Sequence, residues 1–359
     1  MKNLLPLLLL GALPALAQPA TRLAARPQFR LATRPVSRPA PTGPTNYAAT
    51  QTWPIGGEGG WDYVWADAAG GRLYASHGTQ VEVLDLASGK LVGTLANTPR
   101  VHGILTVPGL NRGFVSCGGN NTVLLFDPKT LRATGSAPTG QKPDALLYDE
   151  FTKHVFVFNN GTTTATVLDA ATGAVVGTAE LGGAPEAGVS DHQGTIFVNL
   201  EDKNEIVAFD AKTLVVKHRW PLAPGQEPTG LAIDVRHRRL FSGCDGKLII
   251  LDADNGKVLA ALPTADGVDG VVFDPARQDA FASGGSGSLT VVHEDGPNSF
   301  RVAQTVPTAR GARTCALDET THRVFLLAAD YGPAPAPTAA VPKPRPAVLP
   351  GTFRVVVVR

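Results

Sequence analysis

This chain lacks an excess of charge of either sign: Lys and Arg number 32 against 31 Asp and Glu, for a formal net charge of +1 over 359 residues. With no global field, bulk attraction to nucleic acid or to an anionic lipid surface has no source. Cysteine is scarce as well, limited to Cys117, Cys244 and Cys315. An odd count leaves at least one thiol unpaired in an oxidising compartment, and no His adjoins any of the three in sequence to mark a nucleophile. The common catalytic signatures are missing: there is no Walker loop, no His-Glu-x-x-His, no Cys-x-x-Cys and no Gly-x-Ser-x-Gly elbow. The opening apolar run, residues 4–13, is too short to span a bilayer.

What is present is a core-forming composition. Apolar residues make up 43% of the chain and charged residues 18%, with 39 Gly and 29 Pro. That combination suits many short strands joined by turns. Lys2, the apolar run and the small-x-small tripeptide 15–17 predict a secretory signal peptide over residues 1–17, of bacterial type, and hence a periplasmic or secreted protein with no transmembrane segment after cleavage. Residues 18–45, rich in Pro, Arg and Ala without apolar periodicity, are read as a flexible linker.

From about residue 46 the chain repeats itself. Asp62, His102, Asp144, Glu186, Thr229, Asp269 and Arg313 each precede a short apolar strand, at spacings of 40, 42, 42, 43, 40 and 44 residues. Each unit carries that strand (145–148, 231–233), often closed by Asp as at Asp149, Asp191, Asp234, Asp274 and Asp318. A second strand (72–75, 154–158, 239–241, 323–327), a third ending in Asp (81–85, 123–127, 165–169, 206–210, 248–252) and a more alternating fourth (91–95, 258–262) follow. Asp85, Asp169 and Asp252 are each followed by Gly (Gly89, Gly173, Gly256), which is hairpin chemistry and marks these aspartates as scaffold. Four short strands repeated seven times predict an all-β, seven-bladed β-propeller over residues 46–359. The seventh unit lacks a fourth strand, and residues 47–53 are expected to supply it and close the ring. A Pro/Ala-rich stretch, 333–350, is expected to form a loop inserted in that last blade.

The motifs at 143–149 (PDALLYD), 228–234 (PTGLAID) and 81–85 (VEVLD) resemble those of the YVTN-repeat β-propellers, a WD40/YVTN repeat-like group that includes the YncE-like exported bacterial proteins. The tetrapeptide that names the repeat is degenerate here, at 74–77, 114–117, 156–159, 197–200 and 241–244. The resemblance covers nearly the whole chain after the linker. It implies the propeller fold and export; for activity it implies a mixture, since its members include surface and binding proteins and a YncE-type protein associated with single-stranded DNA, and the wider superfamily holds quinoprotein dehydrogenases. Fold alone does not choose among these.

In a propeller the first strand of every blade lines the axial channel, so the seven alignment residues should form a ring at its mouth. Asp62, His102, Asp144, Glu186, Thr229, Asp269 and Arg313 are therefore the candidate ligand-binding residues, with Trp61, Glu227 and Arg310 as supporting residues at the same end. Arg313 should pair with Asp269 and, across the closure, with Asp62. Asp62, His102, Asp144 and Glu186 form a candidate site for a divalent cation. The leading expectation is a monomeric binding protein that takes a small molecule, a peptide or a cell-envelope partner on its axial face. The alternative is a metal-assisted hydrolase or lactonase using the carboxylate and His ring. Nucleic acid comes third, because an acidic mouth repels phosphate; the basic tract 236–239 falls in a turn between first and second strands and is expected to be a solvated loop.

Overall fold

The computed structural model describes residues 46–107, 109–336, 344 and 346–359, so the expected signal peptide and linker and much of the 333–350 insertion lie outside the described residues. Seven four-stranded antiparallel sheets follow one another along the chain, and six of them take their strands in sequence order. Blade three is representative: Pro143–Asp149 lies innermost, followed outward by His154–Asn159, Thr164–Asp169 and Val175–Glu180. Burial is greatest in the middle of the blade, since the innermost strand lines the channel and is only partly buried. The second strand is buried almost throughout, whereas the outermost keeps only Ala179 buried. Outermost strands are exposed edges, and a bulge interrupts the pairing of third and fourth strands in every blade from one to six. A bulged, twisted edge is a poor template for pairing with another chain. Among the described residues no helix is long and apolar enough to cross a membrane; a single 3-10 turn, Glu201–Lys203, is the helical element present.

The seventh sheet closes the ring. Its order is Ala49–Pro54, Arg354–Val358, Arg323–Ala328 and Cys315–Asp318, counted inward. Trp53 stands opposite Val355, and Ala48 and Arg359 exchange backbone hydrogen bonds of 2.9 and 3.0 Å. The predicted closure by residues 47–53 is thus observed, shifted by a residue or two.

The core is divided into seven clusters, each between two consecutive blades. One aromatic on the second strand of each blade occurs in every cluster: Tyr74, Phe114, Phe156, Phe197, Phe241, Phe281 and Phe325, none more than 1% exposed. Each belongs to the cluster shared with the following blade, and Phe325 of blade seven packs with Val64, Leu73 and Leu84 of blade one. The first five of these aromatics open the degenerate tetrapeptides, so the repeat motif is the inter-blade contact itself. The polar positions of the motif face neighbours as well: Asn199 donates to the carbonyls of Thr229 and Gly230 at 3.0 Å.

The closing strand is held by Trp53, which sits 5.4 Å from the Phe325 ring and lies over Gly89 of blade one. Gly89 has φ +72°, and a Cβ there would come within 2.1 Å of the Trp53 indole, so the hairpin glycine satisfies a turn and a close approach together. Trp220 and Gly256 repeat the arrangement between blades four and five. We expect Trp53→Ala to lower the unfolding free energy by about 3–5 kcal/mol, the range for emptying a buried aromatic site. Denaturant titration should show this although the residue lies on an outermost strand.

Candidate functional site

Each first strand begins at one mouth of the axial channel, and the side chain that opens it is fixed by its backbone before its own contacts matter. The Ser116 hydroxyl, on the second strand of blade two, accepts from Gly103 N at 2.8 Å and donates to the Asp144 carbonyl of the next blade at 2.5 Å. Ser283 donates likewise to the Arg313 carbonyl, and Thr314 to that of Asp62. Blade-to-blade hydrogen bonds therefore set the positions of the ring residues.

Three of the predicted residues converge. His102 Nδ1 lies 2.6 Å from Asp62 Oδ2 and 3.5 Å from Asp144 Oδ1, and all three side chains offer atoms within 4.8 Å of one another. Room for the imidazole comes from Gly118, where a Cβ would meet His102 Nε2 at 2.9 Å. Arg313 bridges as expected, at 3.1 Å to Asp269 Oδ2 and 3.4 Å to Asp62 Oδ1. Glu186 stands outside the group of three and accepts a 3.0 Å hydrogen bond from Asn160. Thr229 does not offer its hydroxyl to the mouth; it donates to the Val268 carbonyl of the next blade at 2.7 Å. Of the supporting residues, Trp61, Arg310 and Arg313 line an adjoining cavity of about 350 Å³ with Tyr331, whose ring lies under the Arg310 guanidinium at 5.6 Å. Glu227 bonds Asn204 through its backbone N–H, and its charge reaches Glu201 rather than the ring acids.

The electrostatics follow from burial. Burial and the charge of Asp62 push Asp144 up to about 7 against the pull of His102. Burial and the charges of Asp144 and Glu201 push Glu186 up to about 9. Burial raises Asp269 to about 6 even with Arg313 beside it. For His102, burial opposes the imidazolium, but the Asp62 hydrogen bond and the charges of Asp144 and Asp62 outweigh it, and the group titrates above its ordinary range. Asp144 Oδ1 is buried and has no hydrogen-bond partner among the described residues. Four carboxylates thus share one guanidinium and one imidazole, and the mouth has acceptors to spare.

Below the ring lies a cavity of about 580 Å³ that receives first-strand residues from all seven blades, mainly Gly, Ala, Val, Leu and Ile. Tyr63 marks its junction with the mouth. It comes from blade one yet packs against the cluster between blades three and four, so its ring crosses the axis. Burial and the charges of Asp144 and Glu186 raise its hydroxyl well above the ordinary value. Repeat reading around the ring position passes over Tyr63, although the next position carries a signal: it is Gly103, Ala145, Ala187, Gly230, Gly270 and Thr314 in the other six blades. One large residue among six small ones is a plug. Asn160 and Glu201 also come to this end, from the turns after second strands.

The three thiols are unpaired, and burial pushes Cys117 and Cys244 up to about 11 and Cys315 to about 12. The tract 236–239 departs from expectation. Arg236 is exposed, as a solvated loop requires, but the rest of the tract is paired: Arg238 with Asp191 and Asp254, Arg239 with Asp252, and His237 lies 2.8 Å from Asp234 and 3.0 Å from Glu294. Neighbouring blades supply counter-charges that the local sequence does not display.

Comparison with known proteins agrees with this architecture. A family model described as outer membrane protein assembly factor BamB matches residues 150–299. YncE of Escherichia coli O157:H7 is 27% identical over 179 residues, 44% of this chain and 50% of that protein. YncE of Escherichia coli strain K12 is 28% identical over 186 residues, with the same shares covered. The chain spans about half the length of the curated relatives it matches. Among solved structures, Kuenenia stuttgartiensis hydrazine synthase superposes with a TM-score of 0.66 at 14% identity, over 75% of this chain and 92% of that one. A chain of the mitotic checkpoint complex gives 0.66 at 13% identity, over 86% and 95%. Those two likenesses concern the fold alone. The sheet order makes this chain a seven-bladed β-propeller, and over part of its length its sequence is similar to the YncE proteins.

Proposed function

We propose that this chain is an exported binding propeller of the bacterial envelope, which takes a positively charged group of a small molecule, peptide or envelope partner in the ring at its axial mouth. The observation that carries this reading is the unpartnered, buried Asp144 oxygen in a ring of four carboxylates with one guanidinium. A buried acceptor left without a donor is costly, and an incoming ammonium or guanidinium would satisfy it with a charge-assisted hydrogen bond. The ligand's apolar part would rest on Tyr63 at the head of the channel, or on Trp61 and Tyr331 beside it. Resemblance to YncE-type and BamB-like proteins supports the envelope setting.

A second reading rests on the convergence of Asp62, His102 and Asp144. Such a group suits a divalent cation that would supply Lewis-acid activation of water, making the chain a hydrolase or lactonase. Metal analysis of the purified protein with a lactone and ester panel separates the two: hydrolysis that needs stoichiometric metal and is lost in His102→Ala favours the enzyme. Nucleic acid is the third partner, by resemblance only; failure to retain a single-stranded oligonucleotide even at low salt removes it.

The binding reading predicts that amines or Lys- and Arg-containing peptides raise the thermal midpoint of the protein. Asp144→Asn should weaken such binding about tenfold or more by calorimetry, as expected for one charge-assisted hydrogen bond. A full panel with no shift in midpoint would count against it. The ring also predicts a pH dependence. Asp144, Glu186 and Asp269 hold protons more tightly folded than unfolded, so their contribution to stability is complete below about pH 4. It is lost as pH rises through about 6 for Asp269, about 7 for Asp144 and about 9 for Glu186. Without ligand, Asp144→Asn should therefore raise the thermal midpoint at pH 8.5 more than at pH 5.5.

A further inference from the structure

In three blades the buried Asp that closes the first strand, at the far end of the channel from the ring, meets a donor from the next blade; at blade five an acid is brought there instead. In blade three, Asp149 Oδ1 accepts from the Ser190 hydroxyl of the next blade at 2.6 Å. Asp191 Oδ2 meets Arg238 of the next blade at 3.3 Å, and Asp274 Oδ2 meets His322 of the next blade at 2.7 Å. The following blade thus presents a donor to this buried carboxylate. Blade five is different. Asp234 Oδ1 accepts from Arg236 N at 2.8 Å, but the next blade brings an acid, Glu294, to the site of Asp234 and His237.

Glu294 comes from the third strand of blade six, Ser288–Gly296, and its side chain is fully buried. Its Oε1 lies 3.0 Å from His237 Nδ1, while Oε2 has no hydrogen-bond partner. Asp234 Oδ2 lies 2.8 Å from the same Nδ1 without hydrogen-bond geometry and is itself unpartnered. One imidazole nitrogen carries at most one proton, so it cannot serve both acids. The Gln278 carboxamide is 3.5 Å from that nitrogen. Arg239 is the nearby cation, but its guanidinium is taken up by Asp252, Asn298 and the Pro297 carbonyl. Two buried carboxylates and an imidazole nitrogen therefore converge within 4.8 Å, and one oxygen of each carboxylate has no hydrogen-bond partner among the described residues.

We propose that Asp234, His237 and Glu294 form a binding site for a divalent cation that clamps blade five to blade six. One imidazole nitrogen with two carboxylate oxygens suits Zn²⁺ or Mn²⁺ better than Ca²⁺ or Mg²⁺, which favour all-oxygen sets. Gln278 is placed to add an amide oxygen by rotating about its last bond. The site is independent of the axial ring, from which it is separated by the length of a first strand.

The test uses the full chain, stripped with a chelator and titrated with Zn²⁺ and with Mn²⁺ by calorimetry, each state followed by thermal denaturation. One equivalent should bind to the wild type and to Asp144→Asn and raise the midpoint of both. Binding should weaken at least 100-fold in Glu294→Gln and in His237→Ala, the latter a partly exposed position that guards against a folding defect in the former. Absence of binding to the wild type, or unchanged binding in both variants, overturns the proposal. Loss in Asp144→Asn alone also overturns it and moves the cation to the ring. Burial and the charge of Asp234 push Glu294 up to about 8, so a proton is the competing occupant. If Glu294→Gln stabilises the stripped protein and the wild type takes up no metal, the acids share that proton and there is no cation site.

Discussion

The contact between each blade and the next, made by one aromatic side chain on the second strand, is the constraint on which the molecule depends. A single blade cannot cover its own apolar faces. It becomes stable when its aromatic enters the cluster shared with its neighbour, and seven such contacts in succession leave no free face. The same contact fixes the ring. Ser116, Asn199 and Ser283 lie on those second strands, and their hydrogen bonds to the following blade hold the backbone that displays Asp144, Thr229 and Arg313. Core packing and site geometry are two readouts of one interface.

Rotational repetition also explains why the charge problem arises where it does. Seven equivalent strand starts meet around one axis, so any polar residue there faces six others at short range in a partly dry space. The scaffold could have relieved the acids with a neutral position in each blade, as Thr229 does by turning its hydroxyl to a carbonyl. Instead it concentrates acids and meets them with a single guanidinium, bridging Asp62 and Asp269. The resulting mouth is held neutral in part by bound protons, which leaves it responsive to any cation that can displace them.

Much of the fold was legible from the chain because the signals are local and repeated. The spacing of Asp62, His102, Asp144 and the positions that follow gave blade number and ring membership, and the unmatched strand at residues 47–53 gave closure. The Arg313 bridge was legible too, since it needs only the order of blades. Tyr63 was harder: it is visible only when the position after the ring is compared across blades, where Gly and Ala are the rule. Glu294 and the pairing of residues 236–239 lay beyond reach. The partners that cross blades come from the third strand of the following blade, as Glu294, or from the turn of the preceding one, as Asp191, and one-dimensional spacing carries no trace of which side chains those segments bring together.

The closing strand has a consequence for the order in which the molecule can form. Trp53 and Phe325 are separated by almost the whole propeller in sequence, yet they meet in the last blade. Six of the seven sheets can assemble from neighbouring hairpins, with short loops to close. The seventh cannot, because it draws its outer strand from before the first blade and its inner three from after the sixth. Joining them closes a loop of some three hundred residues, a step with nothing local to guide it and a large entropy to overcome. Until it happens, blades one and seven each expose the face that the other will cover. The ring is therefore a lock that only the complete circuit can engage, and Asp62 and Arg313, which meet across that seam, cannot form their part of the site until it does.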